Sequence, residues 1–135
     1  MSGTRLAAAA RELVGVPFRL NGREPATGLD CLGVLAASLA ALGRSAPLPA
    51  RTTLRRRGAI DADAAAAALG LVAAPGPVAE GDVLLVRCAP TQLHVLVATG
   101  ADRFVHAHAG LRRVVIGPRD PAWPIVGHWR LASST

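Results

Sequence analysis

Apolar and polar positions change rhythm once along the chain. In the first half they follow a helical period. Leu6, Leu13 and the intervening alanines fall on one side of a helix expected from about Thr4 to Val14, with Arg5, Arg11 and Glu12 on another, and Gly15 and Pro17 end it. Phe18 to Gly28 reads as a polar loop carrying Asn21, Gly22, Pro25 and Gly28. The run CLGVLAASLAALG then predicts a buried helix that starts at Cys31, with Asp30 as its side-chain N-cap and Gly43 as its stop. Beyond an Arg/Pro linker, DADAAAAALG predicts an alanine-rich helix; Asp61 and Asp63 suit its positive end and Gly70 its close. From Gly81 the character changes. DVLLVR, LHVLVAT, RFVHAHA and RRVVIG are short, rich in Val and Leu, and separated by Gly, Pro or Asp, so they read as successive antiparallel strands, with PIVGHWRLA a candidate last one. Helices first and strands second predict an α+β fold, N-terminal helices packed on one face of a C-terminal antiparallel sheet. No internal repeat interrupts this order.

Composition narrows the picture. At 135 residues a single domain over 1–135 is expected, and 51% hydrophobic against 18% charged residues excludes a disordered chain. Aromatics are only 3%, so the core must come from small and aliphatic side chains, with Trp123 and Trp129 as core or rim packing. All 15 basic residues are arginine, a pattern read as the coding bias of a GC-rich bacterial genome, and the net charge of +6 also suits an anionic partner. The densest basic stretch, Arg44 to Arg57, holds five arginines and no aromatic, which favours a solvated loop over a nucleic-acid surface. Two cysteines, Cys31 and Cys88, make neither a disulfide framework nor a four-cysteine zinc site. The apolar stretch after Arg5 is too short for a signal-peptide core or a membrane span, so any role outside the cytoplasm implies another carrier.

The chemistry centres on Cys31. A thiol becomes a nucleophile when its pKa is lowered, and both a helix N-terminus and a neighbouring imidazolium favour the thiolate. His94, near the start of one strand, is a candidate base, and His106, twelve residues on, a candidate to hold its imidazole. Plainer readings stand beside this: a cysteine in an apolar helix is usually a small buried hydrophobe. His106 and His108 at spacing two, with His94, offer a metal-binding alternative, weakened by the absence of a nearby acidic cluster.

The ordered segments GVPFRLNG, GLDCLGV, EGDVLLVR, LHVLVATG and FVHAHAG resemble the NlpC family of papain-like cysteine peptidases over about residues 5 to 115. Asp30, Cys31 and Gly33 match the family's Asp-Cys-x-Gly motif, Gly81 and Asp82 its Gly-Asp, His94 its base and His106 its orienting residue. The ending IVGHWRLA looks like that of phage-type members, small peptidases encoded with tail genes or in gene transfer agents.

This resemblance implies a cysteine endopeptidase acting on peptidoglycan stem peptides, at the bond between D-glutamate and a diamino acid, with no cofactor and no metal. Its catalytic residues would be Cys31, His94 and His106, with the Cys31 backbone N–H meeting the oxyanion and with Phe18 and Asp30 in positioning roles. It also implies tail-tip or hub proteins as partners, and work at the cell wall as part of a virion-like tail. Two positions depart from the family. Phe18 stands where tyrosine is common and cannot donate a hydrogen bond, so Asn21 or Gln92 would have to replace that hydroxyl; Val34 stands where leucine is usual. A structural tail component with the peptidase fold and little activity is the alternative that Phe18 motivates. Cys88 is expected to be structural, and His108 and His128 to be surface or supporting groups.

Overall fold

The computed structural model describes residues 2–44, 59–90 and 92–132. Its helices are α1 (Ser2–Arg11), α2 (Cys31–Ala41) and α3 (Ala59–Ala68). A two-residue hairpin, β1 (Arg23–Glu24) and β2 (Gly28–Leu29), precedes α2. The main sheet holds β3 (Leu71–Ala73), β4 (Val83–Ala89), β5 (Gln92–Gly100), β6 (Arg103–His108), β7 (Arg113–Gly117) and β8 (Ile125–Leu131). Its strand order is β3-β8-β4-β5-β6-β7 and its pairs are antiparallel. The expected α+β layout is therefore present, and the basic segment Arg51 to Arg57 lies outside the described residues.

α1 turns Leu6, Ala7 and Ala10 inward, and the chain continues past Arg11 in turns that bury Leu13 before Gly15, at φ 95, changes direction. The first helix thus starts and stops earlier than its apolar spacing predicts, because Leu13 is held by a turn, its N–H donating to the Ala10 carbonyl at 3.0 Å. In α3 the buried positions are Ala62 and Ala66, followed by Leu69; small side chains let this helix lie close on Leu71 and Trp129. The Trp129 indole N–H donates to Asp63 Oδ1 at 3.0 Å, tying α3 to β8.

Alternation along the strands divides the apolar side chains between two faces. Val83, Leu85, Val95, Val97 and Val105 pack with Val34, Leu35 and Leu39 of α2 on the helix side. Leu84, Val86, Leu96, Ala98 and Phe104 pack on the other, against Val78 and Trp123. β4 is thus buried on both faces, which explains its unbroken apolar run.

The last strand departs from a simple meander: β8 pairs with β3 and β4 instead of adding after β7. What holds it there is Asp82, whose side chain is inaccessible to solvent. One carboxylate accepts from Arg130 Nε at 2.8 Å and Nη2 at 2.9 Å, pairs with His128 Nε2 at 2.7 Å, and accepts the Ala79 backbone N–H at 2.9 Å. Burial pushes this carboxyl up, but the hydrogen bonds from Arg130, His128 and Ala79 outweigh it and leave Asp82 below the ordinary carboxylate value. His128 therefore has a structural task. Gly81, at φ 87, lies so close to the Gly3 carbonyl that no Cβ could fit, so the Gly-Asp pair joins α1 closely to the start of β4.

Candidate active site

The site is built from the loop before α2. Asp30 is extended, at φ −98 and ψ −170, and caps the helix: its Oδ1 accepts the Gly33 N–H at 2.8 Å. The same oxygen accepts Arg23 Nη1 at 2.6 Å, while Oδ2 accepts the Asn21 N–H at 3.0 Å. Asn21 reaches this position in the left-handed region, at φ 60, where asparagine is better tolerated than most residues. Gly33 faces the Gly22 carbonyl with no room for a side chain, so the loop lies directly on the first turn. These contacts fix Cys31 as the first residue of α2, at the positive end of the helix.

Cys31 lines a cleft of about 170 Å³ together with Phe18, Cys88, Gln92, His94, His106 and Trp123. The cleft lies at the end of the sheet where β4 finishes, β5 begins and β6 ends, next to the start of α2. Cys31 and Cys88 are both thiols, and Cys88 Sγ donates to the Gln92 carbonyl at 3.6 Å.

His94 and His106 face each other, Nε2 to Nδ1, at 2.9 Å, with ring planes at 81°. Burial, with a smaller contribution from charge on His108, lowers His106 from 6.5 to about 4. At neutral pH His106 is therefore an uncharged imidazole. Trp123 stands edge-on to both, its ring 5.8 Å from His94 and 6.3 Å from His106.

Cys31, His94 and His106 are thus brought to one cleft, as the order of motifs predicts, and Phe18 forms part of its wall. Asp30 is not on the cleft; it acts from beneath, through the loop and the helix cap. Of the two donors considered for the missing tyrosine hydroxyl, Gln92 lines the cleft, while Asn21 is engaged through its backbone on Asp30. Sequence assigns no chemistry to Cys88 or Trp123, and to His108 only the metal-binding alternative, yet all three stand on this cleft. Spacing alone signals His108, two residues after His106 on one strand, whereas nothing near Trp123 in sequence marks it. Trp129, in contrast, is core as expected, only 6% exposed. Among the described residues no group of three His, Cys, Asp or Glu side chains has a metal-holding arrangement, and no helix is long and apolar enough to cross a membrane.

No family model matches the sequence and no curated protein matches it. Solved structures do. NlpC1 from Trichomonas vaginalis superposes with a TM-score of 0.69 at 21% identity, over 96% of this chain and 43% of that one. The NlpC/p60 domain of the peptidoglycan hydrolase SagA gives 0.59 at 22%, over 87% of this chain and 90% of that domain. The peptidoglycan hydrolase RipB from Mycobacterium tuberculosis gives 0.66 at 19%, over 98% of this chain and 66% of RipB. The chain spans less than half the length of the Trichomonas protein. Fold and site together define a papain-like α+β architecture with a cysteine at a helix start and two histidines on adjacent strands. More narrowly, the fold is that of the NlpC/P60 proteins.

Proposed function

We propose that this chain is a cysteine endopeptidase of peptidoglycan. One observation carries the reading: Cys31, at the start of α2, shares a cleft with a hydrogen-bonded pair of histidines, one of which burial keeps neutral. The fold neighbours described as peptidoglycan hydrolases supply the substrate class.

The chemistry follows from the tautomers. In the tautomer this mechanism uses, neutral His106 accepts at Nδ1 from His94 Nε2–H, which leaves His94 Nδ1 for the thiol. His94 Nδ1 takes the Cys31 proton. The thiolate attacks the amide carbonyl, and the resulting oxyanion is met by the Cys31 backbone N–H at the positive end of α2. The imidazolium then returns its proton to the leaving amine, and water, with His94 as base, hydrolyses the thioester. His106 orients His94 throughout.

The finer parts rest on the sequence resemblance alone: cleavage between D-glutamate and a diamino acid, and carriage on a phage-like tail through tail-tip or hub proteins. The test is muropeptide release from purified diaminopimelate-type peptidoglycan, wild type beside Cys31→Ala, with products identified by mass spectrometry. Release that needs Cys31 supports the enzyme and names the bond. Equal release by both proteins overturns the catalytic assignment. No release by a folded wild type favours the structural alternative, for which Phe18 on the cleft wall is the specific observation.

A further inference from the structure

The thiol chemistry leaves one imidazole of the cleft without a task. His108 closes β6 and lines the cleft with Ala109 and Gly110 of the following turn. Its ring is set locally: the Leu111 backbone N–H donates to His108 Nδ1 at 3.0 Å. A backbone N–H can only donate, so Nδ1 holds a lone pair and the ring hydrogen sits on Nε2. Gly110 makes room for this pose, because a Cβ there would stand 3.1 Å from Cε1. The turn is itself anchored. Arg112 takes the left-handed conformation at φ 59, and its carbonyl accepts the Phe18 N–H at 2.9 Å, joining the turn to the Phe18 wall.

His108 Nε2–H is therefore a donor of fixed tautomer on a half-buried ring, and among the described residues nothing accepts from it. The residues around it choose the ligand. Among the described residues no Asp or Glu lines the cleft, and the turn runs directly into exposed Arg112 and Arg113. A donor in such surroundings favours an acceptor that carries negative charge.

We propose that His108 is a substrate-recognition residue, binding through Nε2–H a carboxylate that the substrate carries beside the scissile amide. This rests on the stem-peptide reading of the cleft. It adds that the enzyme distinguishes a free carboxylate from its amidated counterpart, which replaces the anion by a weaker neutral acceptor.

The test uses Cys31→Ala protein, which binds without turnover, titrated calorimetrically with two matched stem peptides, one with free carboxylates and one amidated. A hydrogen bond to a charged group corresponds to a preference of about 10-fold or more for the acid peptide. His108→Phe in the same background should abolish that preference, and His108→Asn, which keeps an N–H donor in a side chain of smaller size, should retain part of it. In the active protein His108→Phe should raise KM for the acid peptide only. An unchanged preference in folded His108→Phe, or equal binding of both peptides by the parent, overturns the inference. If release from peptidoglycan depends on Cys31 while the parent shows no preference, this inference alone falls. If neither peptide binds and no release occurs, the stem-peptide reading falls with it.

Discussion

His94 Nε2 and His106 Nδ1 lie 2.9 Å apart, and the second ring is held uncharged by its burial. In the proposed mechanism His106 is the acceptor while the first ring gains and loses a proton. Replacing it by alanine removes the acceptor and frees the His94 ring, and kcat is expected to fall about 100-fold or more. His106→Asn can offer a carbonyl oxygen in its place and should recover part of that loss, measured on the same muropeptide substrate.

The same ring sets an acid limit. A histidine at about 4 in the fold and near 6.5 in the unfolded chain stays neutral in one state while it binds a proton in the other. The unfolded state then holds more protons, so stability declines as pH falls from about 6.5 to about 4. Thermal melts across that window should show a smaller decline in His106→Asn than in wild type.

Gly33→Ala would drive a methyl group into the Gly22 carbonyl and push the loop off the helix start. Since that loop carries Asn21 and Arg23 onto Asp30, the cap loosens and Cys31 moves. A loss of about 1–3 kcal/mol is expected from overpacking. Activity should fall further than the folded fraction does, as read by circular dichroism beside turnover.

Asp82→Ala removes the acceptor that holds Arg130, His128 and the Ala79 N–H. A cost of about 2–4 kcal/mol is expected, read by denaturant unfolding, because a buried network loses its centre. A carboxyl depressed in the fold stabilises above its unfolded value and loses that contribution as pH drops through its lower folded value. In wild type this part of the acid sensitivity therefore lies below pH 3.8 and is absent from the variant.

Trp123→Ala exposes the edge of the imidazole pair that the indole now covers. Edge-on aromatic contacts contribute about 0.5–1.5 kcal/mol each, so kcat should drop by up to about tenfold with the fold retained. Histidine ring nitrogens followed by NMR should show faster proton exchange at His94.

The helix-then-strand order and the meeting of Cys31, His94 and His106 in one cleft could be read from sequence because each depends on short-range signals. Asp30 as a cap, Cys31 after it, and His94 and His106 near opposite ends of adjoining strands are local features placed in a fixed order. The place of β8 could not be read this way. Its residues look like a strand, but its place beside β4 depends on distant partners such as Asp82, 46 positions before His128. β3 is three residues long and gives no period, and the β1–β2 hairpin is shorter still, hidden inside what reads as a polar loop. One clue to the clamp was present: His128 and Arg130, at spacing two, put two donors on the same side of one strand.

Because β8 is inserted between β3 and β4, an interior strand is the last of the sheet's described strands to be synthesised. Within the β4–β5–β6 meander, which carries His94 and His106, each pairing joins strands adjacent in sequence, so this part can assemble early. α3 and β3 must instead wait for the strand that joins them to the rest. In a growing chain the histidine pair can thus form before the sheet is continuous, and the scaffold beneath the site is completed only when the final strand joins β3 to β4.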